Sequence, residues 1–260
     1  AGKNLKYSGS VFNVGAQILT LSGAGVFANT NNLTLNDPAS SLKLNGISRV
    51  DNVSISAALT SGKLEIAQNA TIENLSHTGS SRLDIDNSKV LTLTNAFEIP
   101  DNKSMELIGS GGRTIDLPDA LKLSGTLKIS STGYTLRNGT LGLSGGLLDV
   151  VEDANIESNI TLSVNSTLQI DPSKTMTYAG AFVDIGTSKL NIQGGGSFIN
   201  SNSSALSLNN ANSHLVLDNV SVGFVSGSAA SNSSKGLEVS VDSTLTNLSL
   251  TDKLRLSVDS

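Results

Sequence analysis

The sequence predicts an all-β chain folded as a right-handed parallel β-solenoid, with about three short strands in each coil. Three observations support this fold class. An apolar–polar–apolar triplet recurs along the whole chain, turn-forming residues separate the triplets, and only 3% of the 260 residues are aromatic. A core with so few aromatic side chains has to be filled by Leu, Ile, Val and Ala, which suits many small apolar layers better than one large core.

The triplets follow the period of a strand with one buried face. Their first and third residues are apolar, whereas the middle residue is Thr, Lys, Glu, Asp, Gln, Asn, Ser or Arg. Successive side chains of a strand point to opposite sides, so we expect the flanking residues to be buried and the middle residue to face water. The triplets begin at Leu33, Leu42, Val53, Leu64, Leu83, Leu91, Met105, Ile115, Leu121, Leu127, Ile160, Leu168, Val183, Leu190, Leu206, Leu237 and Leu254.

The spacing of the triplets sets the size of a coil. Three strands with their turns would occupy roughly 20 to 30 residues, which lies within the range of known solenoid repeats. About ten to twelve coils, each rising roughly 4.8 Å, would form one elongated domain over residues 1–260, a rod on the order of 50–60 Å long. Asn tolerates the left-handed conformation of corners, and stacked Asn side chains can bond along the axis. The Asn residues expected at corners are Asn29, Asn31, Asn32, Asn36, Asn209, Asn210 and Asn212.

The alternative fold is a pair of antiparallel β-sandwich domains of about 100 residues each. Such domains need hairpin turns, for which Asn-Gly is the strongest short signal. Only Asn45-Gly46 and Asn138-Gly139 provide that dipeptide, too few for so many strand-like segments. No stretch shows a helical period of useful length.

Charge and composition limit the partners. The net charge is −5, and no basic stripe is present that would bind nucleic acid or anionic lipid. We expect neither nucleic-acid binding nor direct membrane insertion, because no apolar run has transmembrane length. The chain has no cysteine, which excludes disulfides and thiolate zinc sites, and no residue pattern predicts a cofactor.

Two groups of carboxylates are candidates for chemistry. Asp84 and Asp86 are two residues apart in a strand-like segment, so their side chains would lie about 6–7 Å apart on one side. That separation suits glycoside hydrolysis or calcium binding, but it also suits two solvated surface acids. Asp149, Glu152 and Asp153 would either ligate a hard cation or form a polar corner.

The remaining candidates favour structural roles. His77 and His214 have no metal-ligand spacing and are expected in turns or on a polar face. The glycine-rich residues 109–114 and 194–197 open no recognisable helix, so solenoid corners are favoured over phosphate loops.

Sugar binding usually needs exposed aromatic residues. Tyr7, Tyr134 and Tyr178 are far apart in sequence, although a solenoid could align two of them. Glycosylation sequons, such as those at Asn32 and Asn138, are numerous, and a composition this rich in Asn, Ser and Thr supplies most of them.

Strand-like sequence runs close to both ends of the chain, over residues 11–14 and 254–258. Neither region resembles the polar or helical cap that a free solenoid needs. A bare terminal coil would expose the apolar layer around Leu250, Leu254 and Leu256 together with unpaired strand edges. We therefore expect at least one end to pack against another solenoid coil, from the same polypeptide or from a neighbouring subunit.

The run of short strands between Asn, Gly and Ser corners resembles the β-helical passenger regions of bacterial autotransporter adhesins and related large surface proteins. The resemblance covers almost the whole chain, rests on composition and period, and carries no motif from which site residues can be transferred. It implies a secreted, cell-surface protein that forms a stalk or fibre, or that adheres to host-cell or surface glycans. The alternative is a polysaccharide-acting enzyme, a lyase, hydrolase or depolymerase built on the same fold. We expect no enzymatic activity.

Overall fold

The structure, a computed structural model, describes residues 3–181, 183–230 and 235–258. These residues form a parallel β-solenoid of about eleven turns. Each coil contributes strands to a first, a second and a third face, and all the strand-to-strand ladders between neighbouring coils are parallel. The third face is one continuous sheet of 12 strands, whereas the first face and part of the second share a 16-stranded sheet. A separate 4-stranded sheet covers the middle of the second face.

The strands are short because a corner interrupts each face. The first-face strands are Leu5–Tyr7, Val26–Asn29, Val90–Leu93, Arg113–Asp116, Tyr134–Arg137, Ala154–Ile156, Thr175–Tyr178 and Ser197–Ile199. The second-face strands are Phe12–Asn13, Leu33–Leu35, Phe97–Ile99, Leu121–Leu123, Thr140–Ser144, Asn159–Val164, Val183–Asp184 and Leu206–Leu208. Four longer strands cross both faces, namely Arg49–Ile55, Ala70–His77, Ser221–Gly227 and Thr244–Leu250.

The third face runs along the whole rod. Its strands are Ile18–Ser22, Ser41–Asn45, Leu64–Ile66, Ser81–Ile85, Ser104–Ile108, Thr126–Ile129, Leu147–Val150, Ser166–Ile170, Lys189–Gln193, His214–Asp218, Gly236–Val241 and Leu256–Val258. A single 3₁₀ turn in the described residues, Asn202–Ser204, connects the first and second faces of one coil.

The core is a stack of aliphatic layers, as the triplets predict. Both flanking residues are buried in most triplets, and the middle residue is at least partly exposed in most. Leu42 and Leu44, for example, are fully buried on either side of the partly exposed Lys43. Each such Leu or Ile contributes about 1.5–3 kcal/mol by leaving water.

The prediction is wrong at three middle positions. Thr34, Ser54 and Ser207 are buried, although they face outward. Each is a short hydroxyl side chain on the second face with a paired strand on both sides, so the neighbouring coils cover it. Ser207 also donates a hydrogen bond of 2.7 Å to Asn209 Oδ1. At the last triplet, Leu256 stays exposed because no further coil covers it in the structure.

A ladder of Asn side chains runs along the corner between the first two faces. The sequence predicts stacked Asn side chains of this type at corners. It joins Asn29, Asn52, Asn74 and Asn95. Asn29 is buried and donates to the Asn52 carbonyl at 2.6 Å, and Asn74 donates to Asn52 Oδ1 at 2.9 Å. Only Asn29 is among the residues that the sequence predicts at corners. The other three are recognisable only by their spacing of one coil.

The β-sandwich alternative is wrong. A sandwich would require antiparallel ladders, but within the described residues the only antiparallel contact is an isolated bridge between Ser22 and Gly46. Asn45-Gly46 therefore turns a corner of the solenoid instead of a hairpin.

Substitutions at inward and outward positions of the strands can test which side chains stabilise the stack. Ile129→Asp or Leu168→Asp would place a carboxylate where the native side chain is 0% or 1% exposed, and should destabilise the rod by on the order of 4 kcal/mol or more. Thr161→Asp, at an exposed outward position, should change stability by about 0.5 kcal/mol or less. Thermal melts of the three variants measure this, and equal losses for inward and outward variants would contradict it.

Candidate functional site

The first carboxylate pair separates in the structure. Asp84 lies on the outer side of the third face, where Oδ2 accepts a hydrogen bond from Lys63 Nζ at 2.6 Å. That bond raises the pKa of the Lys63 ammonium above its usual value. Lys63 also approaches Glu65 at 3.2 Å, and Glu65 pairs with Lys43 in the preceding coil. Asp86 is exposed at the following corner, so the two aspartates do not act as a pair.

Asp84 also lies beside a buried cation that the sequence reasoning missed. Arg113 is 2% exposed, its guanidinium is 4.7 Å from the centre of the Tyr134 ring, and its three side-chain nitrogens have no hydrogen-bond partner among the described residues. A Cβ placed on Gly109 would lie 2.6 Å from Asp84 Oδ1 and 3.4 Å from Arg113 Cζ, so both groups pack against this glycine. Asp84 therefore supplies negative charge close to Arg113.

The second acidic cluster does not converge either. Glu152 accepts a 2.6 Å hydrogen bond from Lys174, and Asp153 accepts one of 2.8 Å from the backbone N–H of Thr175. Asp149 lies apart from both on the third face, and burial raises the pKa of its carboxyl, an effect that Lys128 opposes. The described residues hold no group of three or more His, Cys, Asp or Glu side chains that could bind a metal ion.

The two histidines differ in environment. His214 lies on the third face as expected, with Nε2 2.8 Å from Glu238 Oε2. The expectation of a turn or a polar face is wrong for His77, because it ends the strand Ala70–His77 in an inward position opposite Ile55. It is 3% exposed, its Nε2 is 2.7 Å from Ser81 Oγ, and burial lowers its pKa to about 4.

The aromatic and glycine-rich candidates are structural. Tyr134 and Tyr178 are buried in the core, and burial raises the pKa of both phenols. Tyr7 lies near one end of the rod beside Phe12 and Phe27. No aromatic sugar platform therefore forms among these three tyrosines. Of the predicted corners, residues 109–112 and 194–196 are corners, whereas residues 113, 114 and 197 already belong to the strands that follow. Gly109 and Gly194 adopt φ values of 122° and 114°.

The two ends of the solenoid expose the core. At one end, Leu5 is 60% exposed, and Leu5, Tyr7, Phe12, Leu19 and Leu21 surround an apolar recess of about 230 Å³. Such residues would be interior in any other coil, because their partners in the next coil, Phe27, Leu33, Leu42 and Leu44 among them, are buried.

The opposite end has the same character. Leu248, Leu250, Leu256 and Val258 are exposed, and a recess of about 570 Å³ opens between the last strands of the first and third faces. The strand Leu256–Val258 pairs with Gly236–Val241 on one side only. Each end thus combines an apolar layer with unpaired backbone groups, the features that favour addition of a further strand layer.

Comparison with protein-family models, curated proteins and solved structures finds no significant match to this chain. The described residues include no helix with the length and hydropathy that a membrane span requires.

We predict that the carboxylate of Asp84, which lies beside Arg113, stabilises the fold. Asp84→Asn removes one of the two carboxylate partners of Lys63 and the negative charge near the buried guanidinium, and should lower the free energy of unfolding by about 1–3 kcal/mol. Asp86→Asn changes an exposed side chain and should have an effect near zero. Chemical denaturation of both variants measures the difference, and equal midpoints would refute the role of Asp84.

Buried His77 generates a pH prediction. Its folded pKa of about 4 lies below the unfolded value near 6.5, so the unfolded chain binds more protons between these values. Stability should therefore decrease as the pH falls from 6.5 to 5, approaching a slope of about 1.4 kcal/mol per pH unit. His77→Gln cannot be protonated and should flatten this part of the profile. Parallel pH profiles for both proteins would contradict the assignment.

Proposed function

We propose that this chain is a non-enzymatic, extracellular or cell-surface β-solenoid that serves as a segment of an adhesive stalk or fibre. The observation that carries the proposal is the pair of open ends, each with an exposed apolar layer and unpaired strand edges. Further solenoid coils, from the same polypeptide or from a neighbouring subunit, would cover both. The resemblance to the passenger regions of autotransporter adhesins supports this choice.

Stacking at the ends is favoured by the same forces that hold the coils together. Each exposed Leu or Val that becomes covered contributes about 1.5–3 kcal/mol, and the free N–H and C=O groups of the terminal strands gain partners. A head-to-tail contact of this kind does not close on itself, so repetition produces a fibre instead of a ring.

The side-chain clusters favour a structural role over polysaccharide cleavage. The candidate carboxylates Asp84, Glu152 and Asp153 are engaged in ion pairs or backbone hydrogen bonds along the rod. Such cross-coil contacts align neighbouring coils, which is the requirement of a stiff rod.

Charge introduced at one end tests the assembly. The chain should associate into species larger than its 26.7 kDa in a concentration-dependent way, and the double substitution Leu250→Lys with Leu256→Lys should return it to a monomer. Both residues are exposed in the single chain, so the melting temperature of the variant should be close to that of the native chain measured at a concentration where it is monomeric. Thr161→Lys, on the outer surface, is the matched control. Sedimentation velocity makes the measurement.

Two results would overturn the proposal. One is a monodisperse 26.7 kDa monomer at high concentration, whose end strands are nevertheless protected from hydrogen exchange. The other is association that persists unchanged in the double variant.

A further inference from the structure

The corner between the second and third faces becomes very short in three consecutive coils. Two residues follow Leu121–Leu123, two follow Thr140–Ser144, and one follows Asn159–Val164 before the next third-face strand begins. Four residues make the same connection after Phe97–Ile99 and again after Val183–Asp184. The short connections create a trough along the rod, and the longer ones stand at its two ends.

Glycine forms the floor of this trough. A Cβ at Gly125 would lie 2.2 Å from the carbonyl oxygens of Pro100 and Lys103, and one at Gly146 would lie 2.5 Å from the Gly125 oxygen. The backbones of successive coils therefore approach so closely that no side chain fits between them. The result is a depression of about 380 Å³ that is lined by residues of five successive coils, a length of roughly 19 Å along the axis.

The walls of the trough carry neutral polar side chains. Thr126, Thr167, Gln169 and Gln193 line it, with Leu147 between them. Gln193 Nε2 donates to Gln169 Oε1 at 3.2 Å, and Asn191 Nδ2 donates to Gln193 Oε1 at 2.6 Å. This chain of amides fixes the glutamine side chains along the rod.

Several groups on these walls remain available for a ligand. The hydroxyls of Thr126 and Thr167 and the amide nitrogen of Gln169 make no side-chain hydrogen bond within the described residues. A ligand that both donates and accepts hydrogen bonds would satisfy such a mixed set.

Charge excludes many ligands. Among the lining residues that the structure describes, Asp101 alone is charged, and its carboxylate already accepts two hydrogen bonds from Asn102, at 2.9 Å and 3.1 Å. An anionic ligand would therefore find no cation on these walls. A peptide strand would need an open sheet edge, whereas the third-face strands here are paired on both sides.

We propose that this trough binds a neutral glycan, with its sugar residues arranged along the rod axis and their hydroxyls bonded to Thr126, Thr167 and Gln169. The inference rests on the adhesive part of the proposed function, for which it names the ligand class and the site. Binding is through hydrogen bonds to amide and hydroxyl side chains, without aromatic stacking, so we expect each single site to bind weakly. A fibre would present many copies of the site, and multivalent binding would then raise the overall avidity.

A glycan microarray with neutral and acidic glycans tests the proposal. The native chain should bind neutral glycans and not their uronic acid or sialylated counterparts. Thr167→Ala and Gln169→Ala should each weaken that binding about tenfold, as loss of one hydrogen bond predicts. Asn155→Ala, which removes an exposed amide on the first face, is the control and should bind as the native chain does. Thermal melts establish that all variants are folded.

The outcomes separate this site from the assembly surfaces. The double variant that combines Leu250→Lys with Leu256→Lys keeps the trough intact and should still bind neutral glycans as a monomer, with lower avidity. No binding to neutral glycans, equal binding of acidic ones, binding that both trough variants retain in full, or binding to a peptide array instead would each overturn the proposal.

Discussion

Parallel pairing between successive coils is the constraint on which the rest of this structure depends. A strand of three to five residues has one apolar side and a full set of backbone donors and acceptors. By itself it can neither bury the apolar side nor pair the backbone groups. Both needs are met when a similar strand returns one coil later in the same orientation. The Asn ladder shows how closely the chain keeps this spacing, since its partners are 23, 22 and 21 residues apart. A corner can be longer or shorter only if the strand that follows it still pairs in register with the strand of the preceding coil.

Most of the fold can be predicted from the sequence because one local pattern is repeated along it. The alternation of apolar and polar residues indicates the strand faces, and the turn residues between them indicate coil size. The failures occur where a neighbouring coil changes the environment of a residue. Ser54 and Ser207 are buried by the strands beside them. His77 faces inward because the alternation in its long strand shifts phase at Glu73 and Asn74. Counting by two from Leu75 places His77 inward, whereas counting from Ala70 places it outward.

The candidate sites were much less predictable. Asp84 and Asp86 look alike in the sequence, yet only Asp84 contacts Lys63 and lies near Arg113, because both arrive from other coils. Arg113 lies two residues before the buried Ile115, so the alternation of its strand extends to it, but a charged residue after a glycine-rich corner is normally expected to be exposed. Corner lengths, in contrast, can be counted once the strands are aligned, so the trough over Gly125 and Gly146 is a feature of the sequence that only the coil register reveals.

The division between core and surface would allow such a rod to combine the proposed assembly with the proposed ligand recognition. The aliphatic layers are nearly interchangeable from coil to coil, so they determine length and stiffness without distinguishing one position from another. The coils differ from one another mainly in their outward-facing residues and in their corners. These residues contribute little to the core, so they can vary without loss of the fold. An end offers the repeated apolar layer and therefore suits another coil. The trough has a local arrangement of Thr167, Gln169 and Gln193 that no other described coil repeats in register, and it is therefore the proposed place for a ligand. Substitutions at one of these places should leave the other unchanged, because the stacked core between them transmits little beyond its own geometry.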